Sequence, residues 1–445
     1  MSHVLLPAEL KLDIASRLLS VKDLLSLGQV SIVWSHAAFN FIYREVCLTN
    51  LGQNVQATIN MFRNVQGSSR PVLSLTLLTL NPLHGHGTSS SLRAALNDRI
   101  PQWFQPTDFG QLDMLRGLEI SGNPQMSPHN FEAFLRAMFI SCRQLEEIYI
   151  NETYMYALGG GKWPVAPLNV PHSLQKVMIN DPSTTGSMIA LLRALYNNES
   201  QIRHLRLTAL ATLKDLEDFV EFSFPHLEVL QLSILEKKLN HAASETFADW
   251  LRRHATIQSL HFHEEKRRIP FASIFTVSGP LSNLRHLSIA SRTSCSTLRE
   301  DATTLAHSVP NLEWFSFGYA PVKVDKKLNQ MFAALAANSN LRRVDVMVES
   351  RDNKEASNIT RAQLYSLATS VVSLKRLTTY CAHHRYAGQI VEDYDVIRHQ
   401  GGRNATLERI AGRELKEKAR ADLIFYYYSD VWTGTDRLHS WTQDH

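Results

Sequence analysis

Residues 284–289 read LRHLSI, residues 312–317 read LEWFSF and residues 341–346 read LRRVDV. Each phrase is apolar at its first, fourth and sixth places, and the three begin 28 and 29 residues apart. Working outward, the phrase returns as LRGLEI (115–120), LEEIYI (145–150), LQKVMI (174–179), IRHLRL (202–207), LEVLQL (227–232) and IQSLHF (257–262). A degenerate LKRLTT stands at 374–379, and LTLLTL at 75–80 is a candidate first row. From Leu115 to Leu374 successive starts lie 25 to 33 residues apart. A fixed period of that length marks a stacked repeat array.

The fourth and sixth places are two residues apart, so they share one face of a short strand, and the first place closes the turn that leads into it. Between rows lie stretches with helical period: FEAFLRAMFI (131–140), MIALLRALY (188–196), FADWLRRHA (247–255), MFAALAANS (331–339) and AQLYSLATSV (362–371). One strand–helix unit cannot bury its apolar side alone, but stacked units share one core. The expected class is α/β: a curved solenoid with parallel strands inside and helices outside. These rows resemble the leucine-rich repeat. The Asn or Cys that the resemblance implies three places beyond the last apolar residue is present at Asn123, but Thr153, Pro182 and Glu265 stand there in other rows. The repeats are therefore irregular.

Composition fits such a core. Of 445 residues, 44% are hydrophobic and 20% charged, with a formal net charge of +4. Acids and bases are mixed along the chain, which argues against nucleic acid as a partner. Cys47, Cys142, Cys295 and Cys381 are widely spaced, with no CxxC pair. They read as buried free thiols of a reducing compartment. The opening MSHVLLPAEL lacks a signal-peptide pattern, and no window offers a membrane-length apolar run. A soluble protein of the cytoplasm and/or nucleus is expected, with no membrane partner.

Candidates for chemistry are thin. HFH places His261 and His263 on one strand face, and CAHHRY gathers Cys381, His383 and His384, but neither supplies a matched ligand set. These histidines read as surface groups. EEKRR (264–268) reads as a solvated loop, and GGG at 159–161 lacks the phosphate-cradling context. No enzyme activity, metal or cofactor is expected.

The inner wall of a solenoid suits macromolecular recognition instead. The place between the last two apolar residues holds Glu119, Tyr149, Met178, Arg206, Gln231, His261, Ser288, Ser316, Asp345 and Thr378, read as facing outward. Two places earlier stand Lys176, His286, Trp314, Arg343 and Arg376, among others, and two places later His263 and Tyr380. The expected substrate-binding set is Lys176, Arg206, His261, His263, Trp314, Arg343, Arg376 and Tyr380. Lys176, Arg206, Arg343 and Arg376 suggest an acidic or phosphorylated peptide.

The amino-terminal segment has a different grammar. Pro7 can open a helix, with Leu10, Ile14 and Leu18 on one face. Ser20 and Asp23 mark a restart ahead of Leu24, Leu25 and Leu27, and Val30, Val33, Trp34, Ala37, Phe41 and Ile42 form a third amphipathic run. Three short helices hold more apolar surface than so small a bundle can hide, which marks a partner surface.

LPAEL (6–10), Ile14, Leu18, DLLSL (23–27), VS (30–31), Trp34 and the YREV ending (43–46) resemble an F-box. The resemblance implies a Skp1-like linker, and through it a cullin, bound by Leu6, Pro7, Leu10, Ile14, Leu18, Leu24, Leu27, Val30 and Trp34. The segment departs from that pattern at VSIVW, where Ile32 and Val33 replace the usual basic residues. With repeats behind it, the chain resembles divergent fungal F-box/leucine-rich-repeat adaptors of SCF ubiquitin ligases, which recruit substrates and do not catalyse. The residues leave open a leucine-rich-repeat scaffold outside the ubiquitin system. The expected divisions are a three-helix F-box bundle at 4–50, a connecting and capping region at 51–110, the solenoid at 111–386 and a C-terminal cap or tail at 387–445. In that last region, 405–423 reads as a helix and FYYYSDVW (425–432) as a strand or packing segment.

Overall fold

The computed structural model describes residues 6–16, 21–31, 33–34, 37–38, 45–49, 74–79, 115–122, 128–151, 168–180, 189, 192–193, 195–196, 201–210, 213–234, 241–264, 281–291, 304–305, 307–319, 332–349, 361–383, 386–398 and 405–409. Leu18, residues 123, 153, 182 and 265, the glycine run at 159–161, His384 and the segment 425–432 lie outside them, as do the side chains of His263 and Tyr380. The chain forms two compact units. Unit 1 comprises Met1–Val177, Leu191–Ser200 and Thr433–His445; unit 2 comprises Met178–Ala190 and Gln201–Trp432.

Unit 1 opens with α1 (Ala8–Ser16) and α2 (Val21–Val30). Pro7 stands just before α1, and its carbonyl accepts the Lys11 N–H at 3.2 Å. Asp23 in the first turn of α2 complements the positive helix start. Residues 33–34 and 37–38 are helical too. Among the described residues, Ala15, Leu24, Ala37 and Ala38 form a buried cluster, with Leu27 and Trp34 packed half-buried against it.

The strands follow: β1 (Glu45–Thr49), β2 (Ser74–Thr79), β3 (Gly117–Gly122) and β4 (Glu147–Asn151), then β5 (Lys176–Asn180), which passes into unit 2 at Met178; they are neighbours in that order. β1 to β4 pair parallel in step, with Glu45 opposite Ser74, Ser74 opposite Gly117 and Gly117 opposite Glu147. Parallel pairing thus begins well before Leu115. Between β3 and β4 lies α3 (Pro128–Ser141). It buries Leu135, Met138 and Phe139, and Cys142 just beyond it, at the i, i+3, i+4, i+7 spacing of one helix face. Cys142 is a free, buried thiol.

Unit 2 continues with β6 (His204–Leu210), α4 (Leu213–Phe219), β7 (Val229–Ile234), α5 (His241–Arg253), β8 (Ser259–Glu264), β9 (His286–Ser291), β10 (Trp314–Tyr319) and β11 (Arg343–Glu349). Then come α6 (Arg361–Ser370), β12 (Arg376–His383), β13 (Tyr386–Arg398) and β14 (Ala405–Arg409). β6 to β12 are parallel and adjacent in chain order; β12, β13 and β14 are antiparallel. Every row from Leu115 to Leu374 is a strand, and helices flank the mostly parallel sheet, as expected for a solenoid-type fold.

Six rows of unit 2 build their turn the same way. The N–H groups of Leu227, Ile257, Leu284, Leu312, Leu341 and Leu374 donate to the carbonyl three residues earlier, at 3.0–3.3 Å. The next two N–H groups then share one carbonyl of the preceding repeat: Arg342 and Arg343 both donate to Glu313 O, at 2.8 and 3.0 Å. The residue just before the first apolar place adds a side-chain ladder. Thr256 Oγ1 donates to Leu227 O, Asn283 Nδ2 to Ala255 O, Asn311 Nδ2 to Ser282 O and Ser373 Oγ to Leu341 O, at 2.7–2.8 Å. In unit 1 Ser173 Oγ donates to Leu145 O at 2.8 Å. Among the described residues, side-chain bonding from repeat to repeat thus runs in front of the strands.

The interior of unit 2 is completed by aromatic rings. Trp250, from α5, stacks on His254 at 3.8 Å and lies 4.9 Å from Phe219 and 5.8 Å from Phe247. Its indole N–H donates to Phe222 O at 2.8 Å. His254 Nε2 accepts the Phe224 N–H at 2.9 Å while Nδ1 faces Trp250 O at 2.7 Å, an arrangement that fits only a neutral imidazole with its proton on Nδ1.

One expectation is overturned. Residues 405–409, the start of the expected C-terminal helix, form strand β14, with Ala405 and Leu407 buried and Thr406, Glu408 and Arg409 exposed. That period-two burial matches pairing with β13, whose Arg398 and Val396 stand opposite Ala405 and Leu407. Arg398 meanwhile turns its guanidinium onto the end of α6, Nη2 donating to Ala368 O at 2.8 Å and, just past the helix, to Val371 O at 2.6 Å.

Candidate functional site

Two surfaces collect the residues singled out in the sequence. The first is the helical head of unit 1. Leu6, Leu10, Ile14, Val30 and Val33 are large apolar side chains exposed by 39–67%, and Pro7 is exposed beside them. Leu24 is buried in the bundle centre, and Leu27 and Trp34 pack against it. The segment thus divides its labour: Leu24, Leu27 and Trp34 hold the bundle, while Leu6, Pro7, Leu10, Ile14 and Val30 face solvent. Leu10 and Ile14 share a face of α1 by their four-residue spacing. Val33, the apolar residue where VSIVW departs from the F-box pattern, is also exposed and enlarges this surface.

The second surface is the strand face of the repeats, and here the outward reading needs correction. Tyr149, Arg206, His261, Ser288, Ser316, Asp345 and Thr378 are all buried. Neighbouring strands lie only about 4.8 Å apart. Long side chains two places earlier in adjacent rows can therefore lie over this middle row and take it out of water. His261 is accordingly no surface histidine. Its Nε2 lies 2.8 Å from Ser259 Oγ, and burial, aided by the charges of His286 and Arg206, pushes its pKa down to about 3.

The exposed part of the set is narrower. Lys176, in unit 1, is half-buried and paired with Glu147 Oε1 at 2.8 Å. Trp314, Arg343 and Arg376 in unit 2 are half-buried, and Arg343 and Arg376 stand opposite each other in register. Arg343 and Asp345 sit two residues apart on one strand face, and their ion pair, Nε to Oδ1 at 2.9 Å, is almost wholly buried. Trp314 Nε1 donates to the other carboxylate oxygen at 2.8 Å, and the Arg343 guanidinium lies 4.2 Å above the Trp314 ring. His286 meets the same ring edge-on at 5.4 Å. Burial pushes the Asp345 carboxyl up, opposed by the Arg343 charge and by hydrogen bonds from Arg343, Trp314 and Thr378. Burial also pushes His286 down, against the upward pull of Glu313.

Asp345 is therefore the member of this cluster that a search for exposed side chains overlooks. The signal available in the sequence is its period-two spacing from Arg343, which places both on one face. At the strand-entry edge, a cleft of about 310 Å³ opens beside Arg203, Glu228, Gln258 and Arg285. Arg203 pairs with Glu228 at 2.7 Å, and Arg285 with Glu313 at 3.2 Å. Among the described residues no group of three His, Cys, Asp or Glu could hold a metal ion, and no helix is long and apolar enough to cross a membrane.

Among curated proteins, none matches the chain. The exposed apolar head lies within residues 4–49, which match the F-box-like family and carry an F-box-like motif at the amino terminus.

Proposed function

We propose that the chain is a non-catalytic, substrate-recruiting adaptor of an SCF-type ubiquitin ligase. In this reading the F-box-like head docks on a Skp1-like linker, and through it a cullin, while the strand face of the leucine-rich repeats captures a substrate protein. The observation that carries the reading is the exposure of Leu6, Leu10, Ile14, Val30 and Val33 within the F-box-like segment. Exposed apolar groups clustered on so small a bundle mark a protein-binding surface. F-box-like domains typically serve as scaffolds, and tethering a substrate near a ligase-recruited conjugating enzyme raises its effective concentration without any catalytic group in the adaptor.

Co-purification with a Skp1-like linker tests the reading. The Leu6→Ala, Pro7→Ala double variant is expected to lose capture while its circular dichroism and melting profile stay those of the parent chain. Retained capture would remove this face from the contact. Failure of the parent chain itself to capture the linker would remove the adaptor reading.

A further inference from the structure

We propose that rows β11 and β12 form a cationic corner that binds a short acidic segment of a partner protein. The inference rests on the recognition role given above to the repeats and specifies where on them, and for what chemistry, that role is exercised.

Four cations stand at the entry of these two rows. Arg342 and Lys375 follow the first leucine of their rows; both are exposed, and among the described residues neither makes an ion pair or a side-chain hydrogen bond. Arg343 and Arg376 come next and face each other across the strand pair. The backbone holds all four in place. Arg342 and Arg343 N–H donate to Glu313 O, and Lys375 and Arg376 N–H donate to Arg342 O at 2.7 and 3.0 Å. With strands about 4.8 Å apart, one carboxylate or phosphate can address both rows. Arg343 is oriented beforehand by Asp345 and the Trp314 ring, so its fork has less freedom to lose on binding.

Acids border the corner and limit what it accepts. On one side stands Glu313, held by Arg285 at 3.2 Å. On the other, Asp395 faces Arg376 and Glu408 faces Asp395 in register. In register across the strands stand Trp314, Arg343, Arg376, Asp395 and Glu408: aromatic, basic, basic, acidic, acidic. A continuous phosphate backbone or an anionic membrane would run over those acids. A short cluster of carboxylates or phosphates on an extended peptide would not.

The test is fluorescence anisotropy on the full chain with three peptides of one length: Glu-rich, its Gln-substituted counterpart, and a phosphoserine version. The Glu-rich or the phosphoserine peptide should bind, and the Gln peptide should not; the tighter of the two oxyanions identifies the natural source. Arg342→Glu and Lys375→Glu, both at exposed positions, should each weaken binding at least about tenfold. Lys214→Glu, the same charge change at an exposed position of α4, should leave it unaltered. Equal loss in Lys214→Glu, no binding of either anionic peptide, or tighter binding of an RNA oligonucleotide or phosphatidylserine vesicles would each overturn the proposal. Because no linker is present, this result is independent of linker capture.

Discussion

The helical head of unit 1 and the repeat rows of unit 2 solve opposite problems with the same apolar residues. Among the described residues of the head, three alanines and one leucine are buried while five large apolar side chains face water. In the rows, Leu230, Leu232, Leu260, Phe315, Phe317, Val344 and Val346 are closed off to 1% exposure or less, and the strand-entry edge presents charge. The difference shows which apolar groups act in folding and which are left for a partner. Substitutions of apolar residues that read stability should therefore be large in the rows and small on the exposed face of the head; those that read linker capture should reverse that order.

Trp250→Ala gives the largest expected loss of stability. It removes a fully buried indole, three ring contacts and the bond to Phe222 O, and should cost about 3–5 kcal/mol in denaturant unfolding. Ile14→Ala, on the exposed face of α1, should fall within about 0.5 kcal/mol. If the two were equal, the contrast between the regions would fail. Asp345→Ala comes next, at about 3 kcal/mol, because it strands the nearly buried Arg343 guanidinium and the Trp314 N–H. Double-mutant cycles with Arg343→Met would isolate the pair.

The pH response is smaller and has a definite sign. His261 in the folded chain titrates at about 3, against an ordinary value of 6.5, so the unfolded chain binds a proton that the folded chain refuses. This part of the stability is complete above pH 6.5 and is lost as pH falls from 6.5 toward 3. The slope is about 1 kcal/mol per pH unit. His254 and His286, also pushed down by burial, act in the same direction. Unfolding midpoints measured from pH 7.5 to 4.5 should decline, and His261→Gln should flatten the curve. Last, Asn311→Ala removes one rung of the entry-side ladder and should cost no more than about 1 kcal/mol. The exposed Arg203–Glu228 pair should contribute less still, and that little should vanish in high salt.

Much of the fold can be read from local pattern. The row phrase places strands because period-two spacing and a closing apolar residue are properties of the chain itself. The head's apolar excess can be read for the same reason, by comparing its grease with its length. Local pattern is less informative where side chains from different repeats meet. Arg206 and Arg343 are both expected on the binding wall from the sequence, yet Arg206 is buried and the Arg343 side chain, over Trp314, is only 14% exposed. ATLER carries helix-compatible residues, but the free edge of β13 recruits it as a strand because pairing satisfies both backbones while burying Ala405 and Leu407.

The sequence by itself determined the repeat, its strand-by-strand spacing, the buried apolar pair in each row and the separate apolar head at the amino end. Tertiary structure alone decided which strand-face residues meet solvent, where the repeat-to-repeat ladder runs and how the C-terminal edge is closed. The physical reason is one of range. Strand and helix periodicity is set by neighbours a few places away in the chain. Burial and ion pairing on the strand face depend on side chains about thirty residues away, brought within about 4.8 Å by parallel pairing.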